Sequence, residues 1–145
     1  MSLVLDTSMT MTWGFEDEVS GLAEAVLDRV LVDGAHVPSV WPLEVANALL
    51  IGERRGRLSR LQIDRFLQVL EGLRITVDSD AVPQLVFGRI STLAREQRMS
   101  VYDASYLDLA LRRGLPLATL DGRLRAAAER LGVPVVDAGG NGIVP

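Results

Sequence analysis

Four acidic residues of this chain stand where apolar runs end or helical patterns begin. Asp6 follows LVL, Glu44 lies in PLEVANALL, Asp103 in SVYDASYLDLAL, and Asp121 follows LATL. In an open parallel sheet, ligands bind at the carboxyl ends of the strands, and the helices that follow those strands start at the same edge. Asp6, Glu44 and Asp121 are therefore expected to converge there. Asp103 joins them if its helix, which leads into the fourth strand, also starts at that edge. Each acid alone has a plainer explanation as an N-cap or as a first-turn partner of the helix dipole. Asp6 resists that explanation most, because a charge closing a buried apolar strand needs a partner. Carboxylates clustered on one edge raise each other's pKa unless a cation sits among them. The chain has no lysine, and its one histidine, His36, is expected to begin a strand at the opposite edge. The simplest cation is a hard divalent metal with oxygen ligands, Mg²⁺ or Mn²⁺. One or two such ions could activate a water and stabilise the leaving oxygen of a phosphodiester.

The elements that must position these acids are short and well punctuated. Candidate strands are Leu3–Leu5, His36–Val40, Arg74–Val77, Leu115–Thr119 and Val133–Val136, each apolar as in a sheet buried on both faces. Between them run helical stripes. The first, Val19, Leu22, Ala23, Val26, Leu27, Val30 and Leu31, ends at Gly34. The next starts at Pro42 and presents Leu43, Ala46, Leu49 and Leu50. Ser59 with Gln62 reads as a capping box before Ile63, Phe66, Leu67 and Leu70. Asp78 or Ser79 opens a long helix through Leu93. Another spans about Val101 to Arg113, and the last starts near Asp121 and stops at Gly132. The alternation predicts an α/β fold: one three-layer α/β/α domain over residues 1–145, with a mostly parallel sheet of about five strands.

Composition bounds the chemistry. The 145 residues are 48% hydrophobic and 23% charged, as in a globular protein. Fifteen basic against nineteen acidic residues give a net charge of −4, so contact with a polyanion has to be local or metal-assisted. The absence of cysteine excludes disulfides, zinc–thiolate sites and cysteine nucleophiles. The absence of lysine excludes a Walker-type phosphate loop and Schiff-base chemistry. No charged start followed by an apolar run and no membrane-length segment is present, so a cytoplasmic protein is expected.

Taken together, LVLDTS, PLEVANALL, SVYDASYLDLAL and LATLDGRL resemble the PIN domain, and more narrowly the VapC toxins of type II toxin–antitoxin pairs. The likeness runs from Leu3 to about Asp137. It implies a Mg²⁺- or Mn²⁺-dependent endoribonuclease whose acidic residues match Asp6, Glu44, Asp103 and Asp121. It further implies a homodimer inhibited by a small antitoxin whose tail fills the active-site groove. Asn47, one turn after Glu44, matches a family asparagine and suggests a hydrogen bond into the cluster. Thr119 matches a family hydroxyl position, and Thr7 or Ser8 could orient Asp6 or merely close a turn. Asp108, about 140° round the helix from Asp103, is expected at the surface. Asp137 reads as a loop cap or an outlying acid. Arg123, close to Asp121, is the better candidate for RNA phosphate; Arg54 and Arg55, in a run with Arg57 and Arg60, could equally be a solvated helix end. Trp13, Phe15 and Trp41 read as packing residues, with Trp13 placed in the loop after Asp6 where it could stack on a base.

Two other function classes fit parts of the pattern. A metal-dependent phosphohydrolase of small molecules would use Asp6 as a nucleophile. Ser8 stands where the haloacid-dehalogenase type has its second Asp, however, and the lysine it needs is absent. A non-cleaving module that only binds RNA or protein would also keep the acidic pocket.

Overall fold

The computed structural model describes residues 1–15 and 20–137, so Val19 of the first helical stripe lies outside the described residues. Four strands, β1 (Leu3–Leu5), β2 (Ala35–Val37), β3 (Ile75–Val77) and β4 (Leu117–Ala118), form one parallel sheet in the order β3-β2-β1-β4. Leu3 faces Ala35 and Val4 faces His36, while Val4 also faces Leu117 on the other side. All three residues of β1 are fully buried, as a central strand of a covered parallel sheet requires. The chain steps outward from β1 to β2 to β3 and then returns to β4 on the far side of β1. The carboxyl ends of β1 and β4 are thus a topological switch point, where a crevice opens between diverging connections.

Helices flank the sheet. They are α1 (Thr7–Thr12), α2 (Gly21–Asp33), α3 (Trp41–Arg54), α4 (Arg60–Glu71), α5 (Pro83–Leu85), α6 (Ser91–Gln97), α7 (Val101–Arg113) and α8 (Gly122–Arg130), with α5 running into α6 through a π-turn at Val86–Ile90. The capping box at Ser59 forms as the sequence predicts, with Ser59 Oγ accepting from the Gln62 amide and Gln62 Oε1 from the Ser59 amide. α7 matches its expected span, from Ser100 as N-cap to Gly114, whose left-handed φ of 64° suits glycine at this stop.

Several expectations are corrected. The fifth strand, Val133–Val136, is reduced to a single parallel bridge between Val135 and Leu117, since Pro134 has no amide to donate to a ladder. The stretch after Asp6 is a helix and not a loop. Threonine is a poor helix former, yet Met9 and Met11 are buried here, and Thr10 Oγ1 and Thr12 Oγ1 bond the carbonyls of Asp6 and Met9. Trp13 caps α1 and donates its indole N–H to Ala23 O at 2.9 Å, which ties it to α2. Trp41 Nε1 bonds buried Thr10 Oγ1 at 3.0 Å, and Phe15 lies 4.1 Å beneath the Arg57 guanidinium. α3 buries Trp41, Val45, Leu49 and Gly52, whereas Leu43 and Leu50 face out. Apolar residues surround this helix, so periodicity alone could not select the buried side.

Asp78 opens no helix. Its amide continues the β2–β3 ladder to Val37 O, and α5 starts at Pro83. Asp108 is not at the surface but fully buried, because α7 is covered on the side away from the site by α6 and the π-turn. Arg112 joins the two carboxylates, with Nη2 at 2.7 Å from Asp78 Oδ2 and Nε at 2.6 Å from Asp108 Oδ2. Arg89, from the π-turn, brings Nε to 2.7 Å from Asp108 Oδ1, but off the hydrogen-bond line, so that oxygen is paired by charge alone.

Candidate active site

The carboxyl edge of β1 and β4 gathers the predicted acids. Asp6 leaves β1 and occupies the N-cap position of α1 without capping it. Its carboxylate turns instead to two hydroxyls: Ser8 Oγ donates to Oδ2 at 2.7 Å and Thr119 Oγ1 to the same oxygen at 2.6 Å. Both hydroxyls are oriented from behind. Ser8 Oγ accepts from the Leu120 amide at 2.9 Å, and Thr119 Oγ1 from the Asp121 amide at 3.0 Å. Their protons are thereby committed to Asp6. The side chain is only 6% exposed. Burial pushes the carboxyl above the ordinary aspartate range, the two hydroxyls oppose this, and the Glu44 charge adds to the rise.

Glu44 enters from the first turn of α3, held by Tyr106 of α7, whose hydroxyl donates to Oε1 at 2.6 Å. Thr7 Oγ1 lies 3.2 Å from the same oxygen and 2.8 Å from the Tyr106 hydroxyl. Thr7 thus serves Glu44, while Ser8 serves Asp6. Burial and the Glu44 hydrogen bond raise the Tyr106 pKa far above its ordinary value, so it remains a donor. Sequence reasoning missed Tyr106. Its spacing of three from Asp103 was the available signal, since residues i and i+3 share a helix face.

Asp103 lies in the first turn of α7, which precedes β4, runs against the strands and so begins at their carboxyl edge. Burial raises its pKa first, and the charges of Asp121 and Glu44 raise it further. Asp121 N-caps α8 and accepts from the amides of Arg123 at 2.9 Å and Leu124 at 3.1 Å, both on Oδ1. The structure therefore places all four acids within electrostatic reach of a neighbour. It does not draw three or more His, Asp or Glu side chains among the described residues into a closed cation cage. A hard ion that keeps most of its waters needs only one or two carboxylates, so the donor set fits Mg²⁺ or Mn²⁺ chemistry without such a cage.

The remaining candidates divide. Asn47 is exposed on α3 and makes no hydrogen bond to the cluster among the described residues. Arg54 is exposed at the end of α3, whereas Arg55 lines a recess with Ser8, Leu120 and Phe15. Arg60 pairs with Asp64, and Arg125 with Glu129. Arg123 lines a cleft shared with Asp103. His36 sits mid-strand in β2, its pKa lowered by burial and by Arg113. Asp137 is half-buried just past the Val135 bridge.

Tyr106→Phe tests the hydroxyl scaffold. A hydrogen bond to a charged group is worth about 1.5–3 kcal/mol. Loss of this one is expected to destabilise the protein by up to that amount, less what the Thr7 contact retains, and to reduce turnover about 10-fold to 100-fold as Glu44 loses its fixed position. Initial rates beside urea melts check this; an unchanged rate would remove Tyr106 from the site.

Comparison with known proteins identifies the fold and the family. No curated protein matches the chain. A solved structure, PAE2754 from Pyrobaculum aerophilum, is similar with a TM-score of 0.67 and 23% identity, over 88% of this chain and 84% of that one, and this likeness shows the fold. The family model described as PIN domain matches residues 3–130, which take in β1 through α8 and all four carboxylates. With the family model spanning most of the chain and the acids gathered at the switch point of a PIN-like sheet, the chain belongs to the PIN-domain family.

Proposed function

We propose that this chain, as one PIN unit over residues 1–145, is a divalent-metal-dependent endoribonuclease and the toxin of a toxin–antitoxin pair. PIN domains are generally nucleases and generally use divalent metal ions. One observation carries the assignment of the site. The hydrogen bonds from hydroxyls and from the α8 N-terminus land on a single oxygen in three of the four carboxylates: Oδ2 of Asp6, Oε1 of Glu44 and Oδ1 of Asp121. That fixes these three groups and keeps those donors off their second oxygens.

Asp6, Glu44, Asp103 and Asp121 would hold Mg²⁺ or Mn²⁺. Such an ion, when bound, lowers the pKa of water and neutralises charge on a phosphate. The protein's own part is positioning. Ser8 and Thr119 fix Asp6, Tyr106 and Thr7 fix Glu44, and the α8 N-terminus fixes Asp121. The sole histidine lies in β2, so no imidazole base is assigned to the reaction. The homodimer and the small antitoxin follow from the VapC-like motifs and belong to the same proposal, as does action in the cytoplasm. Among the described residues no helix is long and apolar enough to cross a membrane.

The test is cleavage of a mixed pool of structured RNA by the purified chain with Mg²⁺, with Mn²⁺ and with chelator, beside Asp103→Asn. Metal-dependent cutting that disappears in the variant is the expected result. Equal cutting by a highly purified, folded Asp103→Asn protein would overturn the site.

A further inference from the structure

Beside Asp103, between the end of α6, the turn into α7 and one face of α8, lies a cleft of about 680 Å³. Arg95, Arg98, Arg123 and Arg130 line it together with Ser100 and Asp103. On α8, Arg123, Ala126 and Arg130 follow at i, i+3 and i+7, so one helix face presents two guanidinium groups across a small residue. Some arginines elsewhere are matched to acids, Arg89 and Arg112 to Asp108, Arg113 to Asp80, and Arg125 to Glu129, while others, such as exposed Arg54 and Arg65, stand singly with no ion pair among the described residues; what sets the cleft apart is that four gather around one carboxylate. The four arginines of the cleft have no ion pair among the described residues. Arg130 Nε bonds Gln97 Oε1 at 3.0 Å, and a neutral amide leaves its charge uncompensated.

Arg98 adds a backbone argument. It is the one non-glycine residue with positive φ among those described, at 55°, and it ends α6 where glycine is the favoured residue. Gly34, Gly56, Gly114 and Gly132 fill the other positive-φ positions. An L-residue in this conformation costs about 1–2 kcal/mol, a cost that glycine would not carry at this position.

Four cations facing one carboxylate call for a ligand with several negative charges, and the guanidinium fork matches phosphate. The cleft is continuous with the acidic cluster. Asp103 belongs to both, and Arg123 turns its side chain to the cleft while its amide holds Asp121. We infer that this cleft is a backbone subsite, which grips phosphates of a single-stranded nucleic acid to one side of the bond that is cut. The inference rests on the nuclease reading and adds to it where the strand lies.

The test measures binding, with cleavage silenced. Asp6→Asn protein in chelator is titrated against a fluorescent single-stranded RNA of mixed sequence over a range of salt. The same is done with Arg95→Gln, Arg98→Gln and Arg123→Gln added together, and with Arg65→Gln, an exposed arginine of α4, as control. The triple variant is expected to bind at least about 10-fold more weakly at low salt. Its slope of log K against log salt should fall by about 2, at about 0.7 for each single-strand phosphate that is no longer neutralised. Arg98→Gly alone is expected to weaken binding while melting no lower, which separates weaker phosphate binding from impaired folding. A triple variant whose affinity and slope match the control overturns the subsite, and if the unsubstituted chain cuts RNA, the nuclease reading stands without it. Absence of binding by the Asp6→Asn parent, with no cutting by the unsubstituted chain, overturns both.

Discussion

Asp6→Asn is expected to cut RNA at least about 10³-fold more slowly than the unsubstituted chain, and yet, free of metal at pH 8, to melt no lower than it. The loss follows from the position of Asp6. A carboxylate that helps a cation stabilise a transition state supplies several kcal/mol, and each 1.36 kcal/mol is tenfold in rate. The stability follows from the same burial. Asn keeps an oxygen to accept from Ser8 Oγ and Thr119 Oγ1, so neither hydroxyl is orphaned. The substitution removes a charge that burial and Glu44 both oppose. The sign is fixed by linkage. The folded pKa of Asp6 is raised, so between the unfolded value, near 4, and the folded one the native state binds more protons than the unfolded chain. Stability therefore falls as pH rises through that window, and the full penalty stands at pH 8. The advantage of Asn should be present at pH 8 and fade as pH drops toward 4. At about 2–4 °C per kcal/mol for a chain of this size, it is measurable by melting in chelator. Added Mg²⁺ or Mn²⁺ should then raise the melting temperature of the unsubstituted chain more than that of the variant, since a ligand stabilises only the state that binds it. A variant that melts well below the parent at pH 8, or a parent insensitive to both ions, would count against Asp6 as a cation ligand.

How much of this site could be read in the sequence depends on the kind of residue. Asp6, Glu44, Asp103 and Asp121 were legible because each sits at an element boundary that a parallel βα unit sends to one edge, and the structure brings them there. Ser8 was within reach because it lies two residues from Asp6, and Thr119 through its match to a family hydroxyl position beside Asp121, although its bond to Asp6 spans 113 residues. The assignment of Thr7 to Glu44 was not, since nothing local says that a residue beside Asp6 bonds a side chain of α3. Tyr106 is the same case across 62 residues. The fold shows the same division. β1, α7 and the Ser59 cap rest on local pattern and came out as read. α1 did not, because Thr10 and Thr12 satisfy their hydroxyls on the backbone and its methionines are buried by tertiary contact. Asp108 was misplaced for a related reason. The angle of 140° from Asp103 correctly turned it away from the site, but the far side of α7 is covered by a π-turn that its sequence does not announce.

That buried far side gives the largest expected change in stability. Arg112→Met should destabilise the protein by about 3–5 kcal/mol at pH 7, the usual cost of removing one partner of a buried ion pair. Asp78 and Asp108 are both buried, and Arg112 is the group that bonds each of them. Met fills much of the arginine stem but leaves Asp78 with the looser Arg113 contact at 3.7 Å, and Asp108 with Arg89, which is half in solvent. The pH dependence identifies the cause. Burial pushes Asp78 up, but the hydrogen bonds and charge of Arg112 outweigh this and hold its carboxyl below the usual range. In the unsubstituted chain that contribution is therefore complete above about pH 4 and is lost only as pH falls through the depressed folded value. Without Arg112 burial prevails at Asp78, its carboxyl rises above the unfolded value, and protonation relieves it. The deficit of Arg112→Met in urea melts should thus be largest at neutral pH and shrink toward pH 4. A deficit under about 1 kcal/mol, or one independent of pH, would show that the network is not held by charge. Adding Asp78→Asn and Asp108→Asn to Arg112→Met should recover much of the loss, because the penalty lies in the unpaired charges and not in the absent arginine. Cleavage by that triple variant then shows what the ion pairs do for the site. Arg112 anchors one end of α7 to the end of β3, and Asp103 and Tyr106 project from the other half of the same helix. If charge in this network sets the position of α7, the recovered protein will fold well and cut slowly; if packing alone sets it, folding and cutting will return together.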